Sequence, residues 1–331
     1  MKVFQVSKTG SQPCLADIAT PSPKPGDVLV EIHACGLNFA DLLMVKGQYQ
    51  ETPETPFTLG MEVSGVVAGL GDGVTKLAVG DRVAVFAGHG GLAEFGSFPA
   101  ERCILLPNNM PFKDAAAFQV AYGTSHLALH HRAKITAKDT VLVLGASGGV
   151  GLTAIEIAKL AGARVIAVAR GEKKLEFAKA AGADLLLNSE TADIRAEVKA
   201  LGGADIVYDP VGGEQFKAAL RACNPEARVI TIGFASGEVP QIPANIILVK
   251  NITVIGFYWG GYLAFNPKVL ADSQRSLFKW YEQGKLRPHI SREFPLGQAD
   301  KALDYLRSRK SVGKIVVTLR PASLGAERPG V

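Results

Sequence analysis

The sequence predicts an α/β protein in which a β-rich lobe accompanies a doubly wound parallel sheet, and three observations predict it. Short apolar runs broken by Gly, Pro and Asp fill the first 120 or so residues. From about residue 122 strands and helical segments alternate, the cadence of βαβ units. At TVLVLGASGGVGLTAIEIAKLAG a strand, a glycine-rich turn and a helix follow in that order. With 331 residues, the chain is long enough for two lobes, each with its own core.

In the first lobe VFQVS, DVLVEIHACG, SGVVAGLG, DRVAVFAG and GSFPAERCILLP read as strands, with turns at Gly71-Asp72 and Gly80-Asp81. In the second, TVLVLGA, ARVIAVAR, ADLLLN, ADIVYDPVGG, ARVITIGF and NITVIGF read as parallel strands. GLTAIEIAKLAG and EKKLEFAKAAG are helices between them. PKVLADSQRSLFKWYEQ and Gln298 to Ser308 read as amphipathic helices, GKIVVTL as a last strand, and PASLGAERPGV as a frayed tail.

Composition excludes several classes. The charge of +5 is dispersed, with no basic helix and no nucleic-acid module, so no nucleic-acid partner is expected. No run approaches the roughly 20 apolar residues of a spanning helix, and MKVFQVSKTG lacks the apolar core of a signal peptide. The reading is a cytoplasmic protein without a membrane partner. Cys14, Cys35, Cys103 and Cys223 are widely spaced, which encodes neither a disulfide framework nor a structural zinc site.

In the glycine turn Gly145 begins the bend, Gly148 admits a pyrophosphate to the backbone, and Gly151 lets helix and strand pack closely. The helix N-terminus then offers unpaired N–H groups and a partial positive charge to the anion. Where an NAD site has a carboxylate for the ribose 2′-hydroxyl, at the end of the second strand, this chain has Ala169 and Arg170, followed by Lys173 and Lys174. A carboxylate would repel a 2′-phosphate, whereas a guanidinium and an ammonium would bind it, so Arg170 and Lys174 predict NADPH as cofactor. The ends of the later strands, Asp209 to Gly213 and Gly233-Phe234-Ala235, lie where ligands of open α/β sheets bind.

The segments ACGLNFADLLMVKGQY, TLGMEVSGVVAGLGDGVTKLAVGDRV, AAAFQVAYGTSHLAL, LGASGGVG and SVGKIVVTL together resemble the zinc-independent quinone oxidoreductases of the medium-chain dehydrogenase/reductase superfamily. The resemblance spans nearly the whole chain. It implies a GroES-like catalytic domain formed by residues 1–121 and 266–331, with a Rossmann NADPH-binding domain inserted at 122–265. It also implies a cofactor cleft between the lobes and a homodimer joined through the nucleotide-binding domains. Zinc alcohol dehydrogenases of the superfamily have a metal-binding Cys where this chain has Asn38, and Gly-His-Glu where it has Gly60-Met61-Glu62. His126 and His130 stand four apart, but no Glu follows His126 as a HExxH site requires, so no metal is expected.

Without a Lewis acid the acceptor must delocalise developing charge itself, as a quinone or an enone does. The resemblance assigns Asn38, Asp41 and Tyr49 to the nicotinamide, with Asn38 and Tyr49 as hydrogen-bond donors to a substrate oxygen or water and Asp41 orienting local backbone. Thr124 matches a residue reaching the nicotinamide-side phosphate, and Ser147, Gly148, Gly149 and Val150 supply the pyrophosphate turn. Asn188 ends the third strand near the adenosine, and Ser189 stands where relatives often carry a Tyr on the 2′-phosphate. Phe257, Tyr258 and Trp259 offer an aromatic wall to a flat acceptor, and Lys314 matches a position close to the cofactor. Two other activities use the same motifs: reduction of the C=C bond of an enone, enal or enoyl thioester, and NADPH binding with little turnover.

Overall fold

The computed structural model describes residues 1–320, so the frayed tail expected at 321–331 lies outside the described residues. The described residues form two compact units, Met1–Gln119 with the return segment from Ile290 onward, and Val120–His289.

The first unit runs β1 (Lys2–Val6), β2 (Cys14–Asp17), β3 (Asp27–Leu37), α1 (Phe39–Val45), β4 (Phe57–Thr58), β5 (Glu62–Leu70), β6 (Arg82–Phe86), β7 (Phe95–Pro99), β8 (Cys103–Leu105) and α2 (Phe112–Ala116). The second opens with α3 (Gln119–His126), which passes into a π-helical turn at Leu127–Arg132. It continues through β9 (Thr140–Val143), α4 (Gly149–Leu160), β10 (Arg164–Ala169), α5 (Glu172–Ala180), β11 (Leu185–Asn188), α6 (Ile194–Ala200), β12 (Ala204–Asp209) and α7 (Gly213–Ala222). β13 (Cys223–Thr231), α8 (Ala244–Lys250), β14 (Thr253–Gly256), α9 (Tyr262–Phe265) and α10 (Pro267–Glu282) complete it. The chain returns to the first unit with β15 (Ile290–Pro295), α11 (Ala299–Arg307) and β16 (Lys314–Thr318).

In the first unit, β15-β16-β3-β5-β6-β8 form a sheet that also takes β7 against β3, and β2-β1-β4 form a small antiparallel sheet. β3 is the spine. Val28, Val30, Ile32 and Ala34 alternate into the interior, as period-two patterning requires of a half-buried strand. The register sets Gly36 opposite both Glu62 and Val316. A Cβ on Gly36 would fall 2.0 Å from the carbonyl oxygen of Ala116, so α2 packs there only over a glycine. This register brings the starts of β5 and β16 beside the β3–α1 junction.

The second unit is a six-stranded, all-parallel sheet in the order β11-β10-β9-β12-β13-β14. This is the Rossmann arrangement, and with a GroES-like first unit the fold class is the one predicted. One face is packed by Leu142, Ile166, Val168, Val207, Phe216, Leu220 and Val229. The order reverses between β9 and β12, so the crevice at their carboxyl ends is the ligand-binding point of such a sheet.

The compact units break at 119/120 and 289/290, whereas the sequence division broke at 121/122 and 265/266. The difference is α10. It buries Leu270, Leu277 and Phe278, and its Ser273 hydroxyl lies 2.8 Å from Nδ1 of His126, so it packs with the second unit. Helix periodicity reveals an apolar face but not which lobe receives it.

Candidate functional site

In the second unit the glycine turn joins β9 to α4. Gly145 has φ +57°, the left-handed region that glycine occupies without strain. A Cβ on Gly151 would lie 2.3 Å from the Gly145 carbonyl oxygen, which is why helix and turn can close on each other only there. A Cβ on Gly148, the N-cap of α4, would meet only that same carbonyl, at 3.3 Å. The backbone around Gly148 thus stays accessible above the helix N-terminus, with Gly149 and Val150 in the first turn. A cradle of this shape fits a diphosphate. Ser147 is buried in the same bend.

Arg170 follows β10 directly and is exposed, and Lys174 lies in the first turn of α5. Burial, and then the neighbouring Arg170 charge, lower the Lys174 pKa. The Glu190 carboxylate pulls the other way and offsets part of that effect. Asn188 is hydrogen-bonded into the neighbouring turn. Its Oδ1 accepts from the N–H groups of Gly171 (3.0 Å) and Glu190 (3.1 Å), and its Nδ2 donates to Glu172 (3.0 Å). It therefore braces the Gly171 turn that carries Arg170 and Lys174. Ser189 ties the same rim through its backbone N–H to the Ala169 carbonyl.

Across the switch point, Asp209 Oδ1 accepts from the N–H groups of Val211 (2.7 Å) and Gly212 (2.9 Å), while burial raises the carboxyl pKa to about 6. The Asp209 carbonyl takes the N–H of Gly233 and that of Pro210 takes Ala235, so the two strand ends are knitted together, with Phe234 exposed between them. Thr124 is buried in α3. Of the three aromatic residues expected to form a wall, Phe257, Tyr258 and Trp259, two are packed inside the second unit. Phe257 and Trp259 are 8% and 5% exposed, with Phe257 against Tyr262 and Trp259 packed over the Cα of Gly123, where a Cβ would come within 2.6 Å of the indole nitrogen. They act as core, and only Tyr258 is half-exposed.

In the first unit Asn38 caps α1, and Asp41 Oδ2 accepts its backbone N–H at 2.7 Å. Asp41 Oδ1 also takes the Gly60 N–H at 3.2 Å, so this fully buried carboxylate orients backbone, the role expected of it. Burial lifts its pKa to about 6 against the pull of those hydrogen bonds and of Lys314. The Asn38 side chain is enclosed. Nδ2 donates to the Gly36 carbonyl (3.3 Å) and to Glu62 Oε1 (3.0 Å), while Oδ1 accepts from Lys314 Nζ (2.7 Å). Both amide hydrogens expected for a substrate are thus spent inside the unit.

Lys314 is 6% exposed, and its ammonium gives its three donors to Leu37 O, Asn38 Oδ1 and Glu62 Oε1. Its charge is paired with a fully buried Glu62. Sequence reasoning weighed Glu62 only beside Met61 and missed this partner. The legible signal was an acid and a base each opening an otherwise apolar strand, EVSGVV and KIVVT. Tyr49, in the loop after α1, is half-buried, and its carbonyl accepts from Thr52. The His126 and His130 rings lie tilted at 43° with centroids 4.9 Å apart beside Trp280, a packing arrangement.

A family profile described as alcohol dehydrogenase GroES-like domain matches residues 24–108, and one described as zinc-binding dehydrogenase matches 149–273. The quinone oxidoreductase-like protein 2 homolog of Nematostella vectensis is 40% identical over 88% of this chain and 82% of its own length. Among solved structures, the Thermus thermophilus quinone oxidoreductase, also solved with NADPH, is 32% identical with a TM-score of 0.86, covering 96% of this chain and all of its own. The Escherichia coli quinone oxidoreductase complexed with NADPH is 26% identical with a TM-score of 0.89 and the same coverage.

Proposed function

Because the chain belongs to the zinc-independent quinone oxidoreductase family of the medium-chain dehydrogenase/reductase superfamily, we propose that it transfers hydride from NADPH to a conjugated, electron-poor acceptor, with a quinone as the leading candidate. The observation that carries this reading is the open glycine turn at the N-terminus of α4 with Arg170 and Lys174 on the neighbouring strand end. The quinone oxidoreductases of similar fold solved with NADPH support it.

NADPH, when bound, supplies the hydride from its dihydronicotinamide C4. The residues of this chain bind and orient. The backbone N–H groups around Gly148 and the α4 dipole hold the pyrophosphate. Arg170 and Lys174 take the 2′-phosphate, the guanidinium through its planar fork and the ammonium as a point charge. Asn188 keeps their turn in place, and Gly233-Phe234-Ala235 form the opposite rim. In the first unit Asp41 and the Lys314–Glu62–Asn38 cluster fix the α1 N-terminus. Asn38 and Met61 at the positions of zinc ligands, and an ammonium already inside the cluster, favour chemistry in which the acceptor carries its own developing charge.

The test is oxidation of NADPH, with NADH in parallel and a chelator present, against a small quinone, a simple enone and an enoyl-CoA at matched concentrations. Quinone turnover with NADPH preferred is the expected result. Turnover confined to the enone or thioester would move the activity to C=C reduction, and tight binding without turnover would make the chain an NADPH-binding protein.

We also place the chain as a homodimer in a reducing compartment. β14 ends the sheet, and Leu248 and Val249 on α8, which packs against β13, are 74% and 72% exposed. All four cysteines are free.

A further inference from the structure

Beneath the glycine turn, in an otherwise apolar interior, three hydroxyl groups meet. Ser125 Oγ lies 2.8 Å from Thr153 Oγ1, 3.0 Å from Tyr208 Oη and 3.0 Å from the Val150 carbonyl. Thr153 Oγ1 is within reach of the carbonyls of Ala121 (3.0 Å), Val150 (3.1 Å) and Gly149 (3.2 Å). All three side chains are buried, and Tyr208 is fully so.

The proton count gives the network a direction. Carbonyls only accept. The phenol proton of Tyr208 has Ser125 Oγ as its acceptor, so Ser125 must send its own proton onward, to Val150 O or to Thr153. Thr153 then donates to a carbonyl of α3 or of the first turn of α4. Each hydroxyl proton is used, so the network incurs no unmatched donor.

Its end points are what matter. The Tyr208 carbonyl also accepts the N–H of Leu144, the residue immediately before Gly145. Tyr208 therefore grips the turn at both ends, through its backbone before Gly145 and through Ser125 at Val150. Ser125 further ties in the helix that carries Thr124. A methyl-for-hydroxyl exchange would fill the same space, so packing alone does not call for three hydroxyls here.

We propose that Tyr208, Ser125 and Thr153 are positioning residues that hold the glycine turn in register for the pyrophosphate of the cofactor. The inference rests on the NADPH reading above and deepens it. None of the three touches the cofactor. They act through the Gly149 and Val150 carbonyls, keeping the first-turn N–H groups aimed at the diphosphate.

The experiment measures the Kd of NADPH and of adenosine 2′-monophosphate, which carries the 2′-phosphate without a pyrophosphate, for the wild type and for Tyr208→Phe, Ser125→Ala and Thr153→Val. Expected is an approximately tenfold weaker NADPH Kd in each variant, about the weight of one hydrogen bond. Binding of adenosine 2′-monophosphate should stay within about twofold of wild type, and the loss should appear in the NADPH KM while kcat at saturation holds. Thr153→Ser, which keeps the hydroxyl, should restore wild-type NADPH affinity and guards against a misfolded valine variant. Equal weakening of both ligands, or no weakening of either, overturns the proposal while leaving the NADPH reading intact. A wild-type protein that binds neither ligand overturns both.

Discussion

At the scale of single residues, the buried pair Lys314 and Glu62 carries the largest electrostatic consequence. Removing one partner strands the other in the interior, which costs about 3 to 5 kcal/mol. Lys314→Met is expected to lower stability by that order in urea denaturation, and the double variant with Glu62→Gln to recover much of it, because no charge is then left unpaired. Asn38→Ala removes one acceptor of the ammonium and should cost about 1 to 3 kcal/mol, the penalty for an unmatched buried donor. If Asn38 donated to the acceptor instead, the same change would depress turnover without moving the midpoint.

Glu156 gives a pH prediction. Burial pushes its carboxyl up to about 7, against the Tyr122 phenol that donates to it. A raised carboxyl pKa means the folded state prefers the proton. The stability it contributes is fully present below the ordinary value of 4.5 and is lost as pH rises to about 7. Asp41 and Asp209, each raised to about 6, act with the same sign. The thermal midpoint is expected to fall between about pH 4.5 and 7, and Glu156→Gln to flatten that slope and raise stability at pH 8 by about 2 to 3 kcal/mol.

At the scale of elements, the proposal that the β10–α5 corner takes the 2′-phosphate has a direct test. Arg170→Ala and Lys174→Ala should each weaken NADPH by about tenfold or more while leaving NADH within about twofold, since each removes a charge-assisted contact to phosphate alone. A parallel loss for both dinucleotides would place these side chains elsewhere than on the 2′-phosphate. Two glycines of the fingerprint differ in kind. Gly151 is required by close packing against Gly145 O, so Gly151→Ala should destabilise the α4 start even without cofactor. Gly148 is open, so its alanine variant should affect dinucleotide affinity more than the melting temperature.

These element-scale features were legible because their signals are local. The strand, turn and helix order, the glycine spacing and the basic residues after β10 all lie within one stretch of about 30 residues, the span of a βαβ unit. The assignment of Asn188 as a brace was not legible. That its side chain reaches Gly171 and Glu172 depends on how β11 sits beside β10.

At the scale of the whole molecule, the exposed Leu248 and Val249 on α8 are where the proposed homodimer can be tested. Leu248→Glu with Val249→Glu should shift the protein from dimer to monomer in sedimentation velocity, with the fold retained, because neither side chain is needed for the core. An unchanged sedimentation coefficient would remove α8 from any dimer contact. Among the described residues no helix is long and apolar enough to cross a membrane, and no group of three or more His, Cys, Asp and Glu is disposed to hold a metal ion.

By itself the sequence determined the succession of strands and helices, the glycine turn and the basic corner, because periodicity, breakers and backbone sterics act between near neighbours in the chain. Only the tertiary structure decided the long-range pairings. The registers of β5 and β16 on β3 made Glu62 and Lys314 one buried ion pair and turned Asn38 from an expected donor into its link. The packing of α10 onto the second unit, and the burial of Phe257 and Trp259, were settled in the same way. The physical reason is common to all of them: hydrogen bonding and burial are properties of atoms brought together by folding, and residues 24 or 252 positions apart in sequence carry no local pattern of their meeting.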